Sequence, residues 1–236
     1  MINSNAMRVL APLLEKIENS RGKTIREIKS ELNIERENMI KGASGLIIEN
    51  LLGIPNNNTD DADIPEIGCE VKTLPLQLNR NGLFKVKEPT AIQMIDYFKV
   101  AKETWETAKI RKKITFTFWI VFLAKEGGLP LHQDDYIVLD WYLDHPCNSE
   151  TEIFKKDWEE IQDFIIRGLS DELSCSMGEY IEPKTKGANN QDKTDAPDGN
   201  GGILKARRRA FYYKKNYTNN HIVPNLDLSV LNRENN

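Results

Sequence analysis

Cysteine is scarce in this chain, and the little there is carries no pattern. Cys69, Cys147 and Cys175 form an odd set without CxxC spacing, which argues against a disulfide framework and against a cysteine-based zinc site. Histidine is as sparse: His132, His145 and His221 do not make a histidine-rich metal cluster. No apolar run approaches the roughly 20 residues that span a bilayer. The amino terminus has no basic region, apolar stretch and cleavage site in series, so no secretion signal is read; the stretch before Met7 is set aside as a cloning remnant or a disordered start. These absences predict a reduced, cytoplasmic protein without a membrane anchor.

What is present fits an ordinary globular protein: 236 residues, 39% hydrophobic and 29% charged, enough for one domain, or one with two lobes, to bury a core. The net charge of −4 looks wrong for a partner made of phosphates, yet it averages over a strong asymmetry. Between Lys184 and Lys215 nine basic residues face three aspartates, so that segment is +6 and the rest near −10. A basic strip of this kind can grip a phosphate backbone; a solvated charged loop is the plainer alternative.

Apolar positions at Val9, Leu10, Leu13, Leu14 and Ile17 predict a first amphipathic helix over residues 7–19. Thr24-Ile-Arg-Glu27 reads as a capping box that opens a second helix, with Ile25, Ile28 and Leu32 buried. Plain packing is preferred there to a DNA-reading helix–turn–helix, since only Arg26 and Lys29 are basic. A third helix is expected from Ala43 to Leu52, stopped by Gly53 and Pro55 and carrying an isolated Glu49. After a turn-rich stretch, Cys69-Glu-Val-Lys-Thr-Leu-Pro75 reads as a strand with Glu70 and Lys72 on one face and Cys69, Val71 and Thr73 on the other. Residues 114–123 are the clearest strand, apolar on both faces and hence central. Residues 155–168 form a helix on Trp158, Ile161 and Ile165, capped by Gly168; strands at 178–181 and 209–213 flank a loop at 187–203 that is expected to be mobile. Helices and strands mix along one chain, so the class is α/β or α+β.

Hydrolysis of a phosphodiester asks for a divalent cation held by a few carboxylates, a positioned water and a nearby cation. Asp63 in the turn, with Glu70 and Lys72 side by side on the strand, supplies that set. The tripeptide is little specific by itself: Glu-x-Lys recurs at Glu27–Lys29 and Glu182–Lys184, and a surface charge pair is the simpler reading. Context strengthens the chemical one, because an Asp lies in the preceding turn and Glu49 on the helix upstream.

Those same residues carry a resemblance. GLIIENLLGI followed by DADIPEIGCEVKTLPL resembles the active-site segment of the MutH family of GATC-specific endonucleases. TWETAKIRKKITFTFWIVF, DWEEIQDFIIRG, GEYIEPKTKGAN and KARRRAFYYKKNYT resemble four further blocks in the same order. The resemblance implies a restriction-endonuclease-like α/β fold, with a mixed sheet flanked by helices and two lobes around a DNA-binding cleft. It implies that Asp63, Glu70 and Lys72 are the catalytic set, that Asp63 and Glu70 hold Mg²⁺, and that Glu49 and Lys113 are an accessory acid and an accessory base or phosphate contact. Lys186 would reach base edges, with Lys184 and Tyr212 nearby, and Arg207, Arg208 and Arg209 would bind phosphates. Lys184 at a phosphate alone and Tyr212 in the core remain open readings.

The expectation is then a single endonuclease domain, with a catalytic lobe of about 7–75 plus 113–124 and a recognition lobe of about 155–222. Residues 76–100 match neither branch of the family well and are expected to be a loop facing the DNA. The carboxy-terminal blocks point to a type II restriction endonuclease cutting double-stranded DNA at GATC, the preferred reading, with a homodimer or two successive nicks for two strands. Length and the amino-terminal helices point to a mismatch-repair nickase, which a MutL-type partner would activate. A DNA-binding module without catalysis is the third alternative.

Overall fold

The computed structural model describes residues 4–34, 43–55, 61–189 and 191–231. In chain order the elements are α1 (Ser4–Glu18), α2 (Ile25–Glu31), α3 (Ala43–Leu52), β1 (Glu70–Leu78), β2 (Phe84–Val86), β3 (Thr90–Met94), α4 (Tyr97–Val100) and α5 (Lys109–Thr115). There follow β4 (Thr117–Glu126), β5 (Leu129–Pro130), β6 (Ile137–Asp144), α6 (Asn148–Ile166), β7 (Ile181–Thr185), β8 (Lys193–Pro197), β9 (Ile203–Arg207), β10 (Arg209–Tyr213) and α7 (Lys215–Tyr217). The chain divides into two compact units. One comprises the described parts of Met1–Glu88, Phe116–Asp144 and His221–Asn236; the other comprises Pro89–Thr115 and His145–Asn220.

The first unit is built on a mixed sheet. β1 runs parallel to β4, and β2, β5 and β6 pair antiparallel to their neighbours. β4 lies between β1 and β6 and is buried from Thr117 to Ala124, as its double-faced apolar sequence requires. One of its faces, Phe118, Ile120 and Phe122, joins Leu10 and Ile17 of α1, Ile25 and Ile28 of α2 and Ile48 of α3 in one core. Cys69 lies in the same core and Val71 packs against it, so the alternation of a strand turns Glu70 and Lys72 to the opposite face. Thr24 accepts from the Glu27 N–H while the Glu27 carboxylate accepts from the Thr24 N–H, so the capping box closes as its spacing predicts.

The second unit carries a three-stranded antiparallel sheet, β3-β10-β7, and a separate β8–β9 hairpin. α6 packs Phe154 edge-on against Tyr213 and Tyr217, at 6.1 and 4.8 Å between ring centroids. From the same helix the buried Asp157 accepts from the N–H groups of Glu179, Tyr180 and Ile181 at 2.6–3.0 Å, which fixes the approach to β7. Gly178 is needed in that turn: its φ is +70° and a Cβ there would strike the Ile181 carbonyl.

Four expectations change. The strand read at 178–181 is β7 at Ile181–Thr185 instead, because the Asp157 carboxylate and the left-handed Gly178 shape residues 178–180 into a turn. The central strand begins at Thr117 rather than 114, because residues 109–115 complete α5. Residues 76–100 are no loop but hold the end of β1, then β2, β3 and α4. Among the described residues of 187–203, Lys193–Pro197 are β8 and Ile203 opens β9, while the rest stays irregular. At the tip Asp198 accepts from the Asn200 and Gly202 N–H groups at 2.8 Å each, and the tip lies so close to Gly168 that a Cβ there would strike the Asp198 carbonyl. The class is α/β with a mixed sheet flanked by helices, the restriction-endonuclease-like arrangement expected.

Candidate active site

The acidic set is assembled by a short turn. Ile64 and Cys69 exchange backbone hydrogen bonds, N–H to carbonyl at 2.9 and 3.2 Å, across a single 3₁₀ turn of Pro65–Ile67. Gly68 closes that turn in the left-handed region at φ +62°, which a side chain would strain. The flanking residues Asp63 and Glu70 are thereby brought opposite one another. Asp63 is held by its Oδ2, which accepts from the Val71 N–H at 2.8 Å. Glu70 is 1% exposed, and its Oε2 accepts from Lys72 Nζ at 3.1 Å. The i, i+2 spacing of β1 makes that pair, so the local geometry follows from the strand alone.

Glu49 joins them from α3. It is half-buried, and burial pushes its pKa above the ordinary glutamate value; the negative charge of Asp63 adds to this and Lys72 opposes it. Three carboxylates and one ammonium therefore share one electrostatic neighbourhood within the first unit. Lys113 lies in the last turn of α5, in the second unit.

Among the described residues no group of three or more His, Cys, Asp or Glu converges as a dedicated metal cage. A hard cation that keeps several waters asks for less, namely one or two carboxylates plus substrate oxygens. Asp63 and Glu70 meet that requirement with oxygen donors alone, since the Cys69 thiol lies on the opposite face and burial pushes it up to about 12. The donor set therefore fits a hard divalent cation.

The second unit sorts the basic strip into two sets. One is paired with aspartates: Arg207 Nε with Asp171 at 3.1 Å, Arg208 Nε with Asp192 at 2.8 Å and Lys205 with Asp195 at 2.6 Å. The Arg207 backbone N–H, more than any other group, holds Asp171 below its ordinary value. Arg209, expected at a phosphate, is 3% exposed and donates to the Pro183 and Asp171 carbonyls. It braces the interior instead, because its place on β10 faces the packed side of the sheet. The other set gathers on Tyr212, whose ring lies 5.5 Å from Lys184 Nζ and 6.0 Å from Lys186 Nζ.

Asp157, Asp171 and Asp192 escape sequence reasoning, and so does the buried Glu182. Asp171 and Arg207 are 36 residues apart, and no local pattern announces such a pair. For Glu182 there is a faint signal, a carboxylate at an alternate position of a strand otherwise buried from Ile181 to Pro183.

Residues 52–157 match the protein family described as the DNA mismatch repair enzyme MutH. The DNA mismatch repair protein MutH of Histophilus somni is 28% identical over 215 residues, covering 88% of this chain and 91% of that protein. MutH of Vibrio vulnificus is 29% identical over 228 residues, covering 95% and 96%. The type II restriction enzyme Sau3AI of Staphylococcus aureus is 32% identical over 198 residues, covering 83% of this chain but 39% of that enzyme. The similarity spans both Glu49–Lys72 and the lysine–tyrosine face, and the chain belongs to the MutH family.

Proposed function

We propose that this chain is a magnesium-dependent endonuclease that nicks the unmethylated strand of double-stranded DNA at hemimethylated GATC sites, as a MutH-type repair enzyme. The observation that carries the chemistry is the juxtaposition of Asp63, held by the Val71 N–H, with the buried Glu70–Lys72 pair. The matched family and its relatives support one branch. The family model is described as the DNA mismatch repair enzyme MutH, and MutH proteins match over 88–95% of this chain. This favours the repair reading over the restriction enzyme expected from the carboxy-terminal blocks. The identity to Sau3AI keeps double-strand cleavage by a homodimer as the second reading.

In this reading Asp63 and Glu70 hold Mg²⁺, which when bound offsets the charge that builds on the phosphate and polarises a water. Lys72, kept in place by Glu70, orients the attacking water or faces the developing negative charge. Glu49 is the accessory acid beside Asp63, and Lys113 the accessory base or phosphate contact. Lys186 donates to guanine O6 and N7 in the major groove, with Lys184 and Tyr212 beside it. Arg207 and Arg208 contact phosphates after exchanging their aspartate partners, which costs part of the gain.

A supercoiled plasmid with one GATC site, unmethylated, hemimethylated or fully methylated, tests this with Mg²⁺ present. Slow nicking confined to the unmethylated strand, accelerated by a MutL-type partner, is the expected result. Rapid linearisation of the unmethylated form would establish the restriction reading instead. If every form stays supercoiled while DNA is still bound, the chain is a binding module.

A further inference from the structure

Glu182 and Tyr212 are register partners across β7 and β10, so they point to the same face at close range. Lys184 follows two residues later on that face, and its Nζ sits 5.5 Å from the Tyr212 ring centroid. Lys186 Nζ lies 6.0 Å from the same centroid. Two ammonium groups on one ring repel each other, and the face needs a counter-charge. Glu182 supplies it from a position 7% exposed, under the influence of Lys184, Lys214 and Lys215. Of these, Lys214 is committed to the Gly178 carbonyl at 2.7 Å, and Lys215 is exposed on α7. Lys184 alone both shares the strand of the carboxylate and rests on the ring.

We propose that Glu182 is a positioning residue of the DNA-reading face: its buried carboxylate draws Lys184 onto the Tyr212 ring, so that Lys184 braces the face and Lys186 reaches the base edges. The first half concerns the protein alone; the second rests on the DNA-cleaving reading above. The carboxylate need not touch DNA for this. It acts by choosing which of two closely spaced lysines is held and which extends, a choice that side chains with several rotatable bonds do not make by themselves.

The test uses Glu182→Gln, which keeps shape and removes charge, in the full chain with lysine side chains labelled for NMR. In the unaltered protein the Lys184 methylene protons resonate upfield, shifted by the Tyr212 ring. In Glu182→Gln that shift shrinks while the amide spectrum of the core is kept. Discrimination between a GATC duplex and a scrambled duplex, read by fluorescence anisotropy without Mg²⁺, falls about tenfold. Affinity for the scrambled duplex holds or rises, because a negative charge has gone. Adding Lys184→Met to Glu182→Gln brings no further loss of discrimination. An unchanged Lys184 shift in Glu182→Gln overturns the proposal, as does a lost shift with discrimination intact. If the unaltered protein does not discriminate GATC, the DNA reading falls, and the Lys184 shift alone still decides what Glu182 holds.

Discussion

The tripeptide Glu-x-Lys occurs on two strands of this protein, β1 and β7, and the two copies have become different things. On β1 the pair closes on itself, Glu70 Oε2 to Lys72 Nζ at 3.1 Å, within reach of Asp63 and Glu49. On β7 the glutamate is also buried, yet its lysine lies on the Tyr212 ring among further cations. The neighbours make the difference. Acidic company gives the first copy the make-up proposed for binding a cation and positioning a water, and basic, aromatic company gives the second the make-up proposed for a nucleic-acid face. A third copy, Glu27–Lys29 on α2, shows what happens off a strand. Residues two apart on a helix do not face each other, so Glu27 caps Thr24 while Lys29 pairs with Asp134 at 3.1 Å.

The largest effects separate the copies. Lys72→Ala should lower single-turnover nicking by at least about 10³-fold while DNA binding survives. Lys184→Ala should leave saturated turnover within a few-fold; equal losses in both variants would erase the distinction drawn between the strands. Lys29→Ala strands a buried Asp134 carboxylate and should cost about 3 kcal/mol in urea unfolding, without a specific effect on cleavage of the folded enzyme.

A smaller effect tests the two halves of the basic strip. Lys186→Ala should lose about 1–3 kcal/mol of discrimination in competition against scrambled duplex. Lys205, exposed and already paired with Asp195, should matter by under about 0.5 kcal/mol when replaced by Ala. The smallest effect is in stability against pH. Burial raises the pKa of Glu182 above its ordinary value, and the three lysines oppose this. A raised carboxylate gives its stabilisation at low pH and loses it as pH rises through the folded-state value. Glu182→Gln should therefore melt higher than the unaltered protein near pH 7.5, with the gain vanishing below the ordinary glutamate range. A gain that persists there would mean that packing, not ionisation, sets the difference.

Much of the first unit could be read directly. The capping box at Thr24, the stop at Gly53 and the facing of Glu70 and Lys72 each depend on residues within a few positions of one another. The second unit was harder. Its hairpin tip reads as a loop because Gly, Asn and Asp dominate it, yet no local pattern says that it lies against Gly168, some thirty residues earlier. Arg209 reads as one of three phosphate contacts because Arg207 and Arg208 stand beside it, and strand alternation with burial takes it inside.

Sequence alone determined α1, α2, α3 and most of α6, the double-faced central strand and the side-by-side placing of Glu70 and Lys72, since periodicity, caps and i, i+2 spacing are local properties. Tertiary structure decided that Asp63 meets the Val71 N–H, that Arg207 is answered by Asp171, and that Lys184 and Lys186 share one ring. Those choices depend on groups distant in the chain, where burial and the charge of the neighbours, rather than the residue itself, set what a side chain does.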